Sequence, residues 1–162
     1  MRHKASSNRK FARNAYTITE LMIVVAIVGV LSSVAIPNYM AQLCRSETAE
    51  AESTIGAIQA VIAAFHDETG TSPSTWDDLS SIAAIMTKNG AAKGTLTNPI
   101  ILPGDRYQVS IDGPENSTYD ILAERSEGCP NTEIKACLNV STGASDKRRG
   151  DGVNNAEAAI CT

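Results

Sequence analysis

The 162-residue chain predicts an α+β fold: one long N-terminal α-helix whose C-terminal half packs on a small antiparallel β-sheet. Three observations predict it. Leu21 to Cys44 is a run of 24 residues without a charge. That run continues into a stripe of positions at helical spacing. Two segments that alternate with period two then follow, separated by turn formers. Composition agrees: 43% apolar, 4% aromatic and 20% charged residues suit one globular domain and exclude a multi-domain enzyme, a collagen-like repeat or a fully disordered chain. A pI of about 5.2 argues against a dedicated nucleic-acid binder.

The charge is unevenly spread. Residues 1–15 hold Arg2, Lys4, Arg9, Lys10 and Arg13 and no acid, a charge of +5. Of the 14 bases, 9 remain to face all 18 acids, so the rest of the chain carries −9. The uncharged run would span roughly 36 Å as a helix, enough for a bilayer core. The basic leader then stays on the cytoplasmic side and the acidic bulk crosses. A secretory signal would need a cleavage site after the apolar stretch, and Ser32, Ser33 and Ala35 offer one. Glu20 at the mouth of the stretch, and the absence of a turn-rich break after it, speak against that reading. A plain membrane anchor accounts for length and orientation but gives Glu20 no role.

The run from Ala15 through Tyr16, Glu20, Gly29 and on to Pro37 resembles the start of type IV prepilins. In that family a short basic leader is cut ahead of the apolar stretch, which is kept. The family pattern is a small residue, usually Gly, then an aromatic, three residues and Glu; Ala15, Tyr16 and Glu20 occupy those positions. Ala15 stands for the usual Gly and Tyr16 for the usual Phe. The resemblance implies cleavage between Ala15 and Tyr16 by a prepilin peptidase and N-methylation of Tyr16. It implies that Glu20 pairs with the N-terminal amine of a neighbouring copy during assembly. A carboxylate in an apolar helix is costly unless paired, so such a pair has a physical reason. Pro37 removes one helical hydrogen bond and should kink the helix, and Gly29 weakens it further. The resemblance adds that the Gly29–Pro37 stretch loosens in a filament.

Beyond Pro37, the positions Cys44, Thr48, Ala51, Ile55, Ile58, Ile62 and Phe65 form one stripe of an amphipathic helix. The helix should run from about Tyr16 to Glu68 and stop near Gly70, with Pro73 beyond. A coiled coil is the competing reading, but the flanking charges are mostly acidic and would repel. His66, in the last turn, suits the helix dipole.

Thr71 to Ser74 is a turn-rich break. Ser74 or Thr75 can cap a short helix reaching about Met86, with Asp77 and Asp78 in its first turn. Residues 89–105 read as a loop. Strands are expected at 107–111 and 119–123, joined by a hairpin opening at Asp112-Gly113-Pro114, and at 134–140. Residues 141–156 read as a long exposed loop. The chain thus divides into a basic leader (1–15), an apolar helix that is transmembrane before assembly and filament core after it (16–44), and an amphipathic half-helix with a globular domain (45–162).

The even count of four cysteines in an exported domain suggests disulfides. Cys44, Cys129, Cys137 and Cys161 allow three connectivities. Cys44 lies on the stripe that faces the globular part, so a bond from it to a later cysteine is sensible. Pilins commonly close a C-terminal loop with one disulfide, so the resemblance favours a bond ending at Cys161. Cys44–Cys129 with Cys137–Cys161 is preferred, Cys44–Cys161 with Cys129–Cys137 is second, and a free buried Cys44 stays open. No metal site, cofactor or catalytic constellation is read. The cysteine spacing does not suit zinc, and Asp151, Asn154, Asn155 and Glu157 lack regular calcium spacing. Lys147, Arg148 and Arg149 form a small basic patch, either a solvated loop or a surface for DNA or another acidic ligand. Asn116 and Asn139 begin glycosylation sequons.

The expected function is that of a structural, non-enzymatic subunit of a type IV pilus. It would be held in the inner membrane as a precursor, handled by the prepilin peptidase and the assembly machinery, and displayed on the cell surface as a helical homopolymer. A minor pilin acting as tip adhesin or in DNA uptake, a type II secretion pseudopilin and a membrane-anchored enzyme are the alternatives.

Overall fold

A computed structural model describes residues 16–161. It divides into two compact units, one ending at Ala41 and one beginning at Gln42. Helix α1 (Ile18–Thr69) passes through both. Its first part is apolar enough to cross a membrane by length and composition, and its large apolar side chains from Leu21 to Met40 are exposed. Two polar side chains there bond within the helix. Ser33 Oγ donates to the Val30 carbonyl at 2.7 Å and Asn38 Nδ2 to the Val34 carbonyl at 3.0 Å, which lowers the cost of carrying these groups in an apolar surrounding. Gly29 and Pro37 both lie inside α1.

In the second unit the stripe forms the core face of α1. Thr48, Ala51, Ile55, Ile58 and Ile62 are buried, joined by Val61. The five apolar ones enter one cluster with Val109, Ile111, Tyr119, Ile121, Ile134 and Ala136 of the sheet. Helix α2 (Trp76–Ser80) follows. Thr75 caps it with a full capping box, its hydroxyl accepting from Asp78 N–H while the Asp78 carboxylate accepts from Thr75 N–H. The expectation of a helix reaching Met86 is corrected. Ser80 and Ser81 bond back to the Trp76 and Asp78 carbonyls, and the chain becomes extended as β1 (Met86–Thr87), paired with β2 (Gly90–Ala91).

The main sheet holds five antiparallel strands in chain order: β3 (Ile100–Ile101), β4 (Tyr107–Glu115), β5 (Thr118–Arg125), β6 (Ile134–Asn139) and β7 (Ser145–Arg149). Two further expectations are corrected. Asp112-Gly113-Pro114 does not open the hairpin but lies in an irregular stretch of β4, and the turn is Asn116-Ser117. Both turn residues have positive φ, 49° and 64°, the conformation that matches strand twist in two-residue hairpins. The stretch read as a long exposed loop contains β7. Its Ser-Asp-Lys-Arg-Arg sequence has no apolar alternation, and the strand forms because β6 offers its edge: Ile134 to Leu138 pair with Arg149 to Ser145.

Candidate functional site

At the start of α1, Thr17 and Glu20 form a capping box. Glu20 Oε2 accepts from Thr17 N–H at 2.9 Å and from the Thr17 hydroxyl at 2.8 Å. The Thr17 hydroxyl oxygen lies 3.2 Å from Glu20 N and accepts from it. The pair occurs because Thr and Glu are spaced to satisfy each other where a helix leaves its first N–H groups without partners. Tyr16 beside it is exposed; Ala15 lies outside the described residues. Sequence reasoning singled out Glu20 but missed Thr17, although Thr-x-x-Glu ahead of an apolar run is the capping-box signature.

In the second unit, Cys44 is bonded to Cys129 and Cys137 to Cys161. The first bond ties α1 to the β5–β6 connection, and the second ties the C-terminal segment to β6. A polar cluster lies beside the first. Glu47 on α1 pairs with Arg125 on β5 and, at 3.4 Å, with Arg106. The Arg125 guanidinium lies 5.5 Å from the centre of the Tyr107 ring, and the Tyr107 hydroxyl reaches Thr48 Oγ1 at 2.9 Å and the Thr132 carbonyl at 3.0 Å. Burial works against the charge on Arg125, but its bonds to Glu47 and Tyr107 outweigh that and hold its pKa above the ordinary value. Each contact joins residues far apart in sequence, such as Glu47 with Arg125 and Thr48 with Tyr107, so no spacing rule points to them.

Lys147, Arg148 and Arg149 do not stand free. Lys147 Nζ donates to the Glu52 carbonyl at 3.1 Å and lies 3.5 Å from Glu52 Oε1. Arg149 Nη1 is 3.4 Å from Glu52 Oε2, and Arg148 Nε donates to Asp146 Oδ2 at 2.9 Å. The patch therefore ties β7 to α1 and spends its charge on acids of the same chain. Asp146 also accepts from the Ile160 and Lys147 N–H groups. These bonds, with Arg148 the strongest, hold its carboxyl below the usual Asp value. Asp151 accepts from the N–H groups of Val153 and Asn154 and from the Asn154 amide, so both its oxygens serve a local turn. Asn139 is likewise occupied, donating to Thr118 and accepting from Ser141 and Thr142. A cleft of about 490 Å³, lined by Glu124, Arg125, Glu127, Asn131, Glu133 and other residues, has its buried cation already held by Glu47.

An apolar helix of membrane-spanning length leads into a disulfide-tied α+β head, and this is the class of protein the coordinates define. No family model and no solved structure matches the chain. Curated relatives do. A fimbrial protein of Pseudomonas aeruginosa is 25% identical over 145 residues, covering 89% of this chain and 84% of the relative. The type II secretion system core protein G of Escherichia coli is 28% identical over 130 residues, covering 75% and 87%. The type IV major pilin protein PilA of Myxococcus xanthus is 42% identical over 53 residues, covering 33% and 24%. The chain is thus similar to type IV pilins and to a type II secretion pseudopilin, which supports a structural role of that kind.

Proposed function

We propose that the chain is the precursor of a type IV pilus subunit that polymerises through its apolar helix. In this reading a prepilin peptidase cuts between Ala15 and Tyr16 and removes the +5 leader, and Tyr16 is N-methylated. The segment 16–44 crosses the inner membrane with the head outside. The assembly machinery then packs these helices into a filament core, where Glu20 meets the terminal ammonium of a neighbouring copy. Gly29 and Pro37 mark the stretch of the helix that yields on packing. The head carries out no catalysis and displays its disulfide-tied C-terminal segment on the cell surface.

The observation that carries this reading is Glu20: one hydrogen-bonded carboxylate at the start of a helix whose next 24 residues, Leu21 to Cys44, carry no charge and whose large apolar side chains to Met40 are exposed. Isolated in lipid, such a charge costs several kcal/mol (roughly 3 on insertion scales), and a second copy's amine removes that cost. The test is the mass of the mature chain isolated from cells. A chain beginning at methylated Tyr16 supports the reading, and any other first residue sinks it. A secretion-system pseudopilin is the second reading, favoured by the match across 87% of core protein G. Subunit abundance in sheared surface filaments separates the two, since a major pilin dominates that fraction and a pseudopilin is absent from it.

A further inference from the structure

Nine Lys and Arg residues follow residue 15, and seven of them pair with acids of the same chain. Among the described residues, Arg45 and Lys93 have no such partner. Lys93 is exposed on the loop after β2. That loop is tied to the chain just beyond α1: the Gly94 carbonyl accepts from Trp76 N–H at 2.7 Å, and the Ser74 carbonyl from Leu96 N–H at 3.1 Å. The Lys93 carbonyl takes no hydrogen bond among the described residues.

The complementary surface is the cleft of about 490 Å³ beside Cys129. Glu124 and Glu127 on its wall are exposed and pair with no cation among the described residues. Glu133 is already paired with Lys135 at 3.0 Å. The Arg125 side chain, 7% exposed, is held by Glu47 through Nη2 and by the Glu127 carbonyl through Nε. Its Nη1 is buried and has no hydrogen-bond partner among the described residues, and such an orphan donor is costly. Two free carboxylates and one buried donor suit a ligand that brings an ammonium and a carbonyl oxygen together, as a lysine on an exposed loop does.

The cleft and Lys93 lie at opposite ends of the head. Cys44 and Glu47 mark the cleft's end of α1; the helix stops at Thr69, roughly 38 Å from Cys44 at about 1.5 Å per residue. Strand β5 spans the same ends, since its Arg125 reaches Glu47 and its Tyr119 hydroxyl donates to the Pro73 carbonyl at 2.7 Å.

We propose that the cleft takes the Lys93 loop of a second copy, with the Lys93 ammonium on Glu124 and Glu127 and the Lys93 carbonyl accepting from Arg125 Nη1. This contact rests on the reading of the chain as a polymerising subunit. Patches at opposite ends of one head cannot meet within a copy. A contact between one end of a copy and the other end of the next is heterologous, so it propagates from copy to copy instead of closing as a two-fold dimer.

The experiment treats sheared filaments, from cells making the full precursor, with a water-soluble carbodiimide, which joins an ammonium to a carboxylate in contact with it. Mass spectrometry of the digested filaments should find Lys93 linked to Glu124 or Glu127, a link that only two copies can make. Lys93 left unlinked, or linked only to other carboxylates, overturns the contact. Charge reversal is the second measurement. Lys93→Glu, and Glu124→Lys together with Glu127→Lys, should each cut filament yield roughly tenfold, because like charges in contact oppose association. The amount of subunit in the membrane should not change. Combining all three substitutions restores opposite charges and should recover most of the parental yield. Parental yield from either reversal, or no recovery in the combination, overturns the contact and leaves the polymerising role standing. Cells that hold the parental subunit in the membrane and make no filaments overturn the polymerising role, and the contact with it.

Discussion

Asp112 on β4 is the register partner of Asp120 on β5, and both are exposed. Two carboxylates thus stand directly opposite one another on the solvent face of the sheet, and neither forms an ion pair among the described residues. Like charges in that position destabilise a sheet. Asp120→Thr removes the repulsion and adds a β-branched residue at a strand centre. It should raise stability by about 0.2–1 kcal/mol, read as a higher denaturation midpoint of the detergent-solubilised chain. An unchanged or lower midpoint would show that solvent already screens the pair.

The two disulfides should contribute unequally. Cys44–Cys129 closes a separation of 85 residues and Cys137–Cys161 one of 24. In the chain-entropy account, the stabilisation grows with the logarithm of the loop, giving about 4–5 kcal/mol for the longer and about 3–4 kcal/mol for the shorter. Paired Cys→Ala variants of each bond, compared by thermal melting, should therefore show the larger loss for Cys44–Cys129. The opposite order would mean that the contacts of the C-terminal segment, not loop closure, dominate.

How much of this was legible in the sequence depends on whether the information was local. The stripe from Thr48 to Ile62 was legible because burial on a helix imposes a period, and Val109, Ile111, Tyr119 and Ile121 were legible because a half-buried strand alternates. Strand β7 was not, since Lys147, Arg148 and Arg149 look like a solvated run. What makes them a strand is the open edge of β6 and the carboxylate of Glu52, 95 residues from Lys147. Gln59 shows the same limit. Its side-chain amide donates to the Cys137 carbonyl at 2.8 Å and to that of Asp146 at 3.3 Å, bridging β6 and β7 from α1, and nothing near Gln59 in sequence announces it. At the helix start the position is reversed: Thr17 and Glu20 are neighbours, and their pairing could have been read from the capping-box pattern.

Acid should weaken the head through particular carboxylates. Asp78 and Asp146 both have pKa values below the ordinary Asp value of 3.8. For Asp78 the backbone N–H of Ser74 is the largest cause, and for Asp146 the bond from Arg148. A lowered folded-state pKa means that the unfolded chain takes up protons first as pH falls. The contribution is fully present above the unfolded value and is lost as pH drops through the folded one. Denaturation midpoints should stay level above the ordinary Asp value and fall below it. Asp78→Asn and Asp146→Asn should each reduce the drop. Variants that track the parent at every pH would place the acid sensitivity elsewhere.

Glu47 and Glu52 each pair with two cations, yet their removal should have very different effects. The Arg125 side chain held by Glu47 is only 7% exposed, and Glu47 itself 16%. The Arg149 side chain beside Glu52 is 61% exposed and that of Lys147 28%. Water can take over the partners of Glu52, and an exposed pair contributes about 0–1 kcal/mol. Water cannot readily reach Arg125, so Glu47→Gln leaves a buried charge without its counter-ion, a change that costs about 3–5 kcal/mol. The neighbouring Tyr107 ring recovers a fraction of that, since an aromatic face stabilises a desolvated cation by about 2 kcal/mol at most. Glu52→Gln should accordingly leave the melting temperature almost unchanged, while Glu47→Gln should lower it by several degrees. The double variant Glu47→Gln with Arg125→Met, which removes the stranded charge, should recover most of the loss. If Glu47→Gln alone is silent, the cluster beside Cys129 is wetter than its burial implies, and Glu47 holds α1 to the sheet no more tightly than a surface pair would.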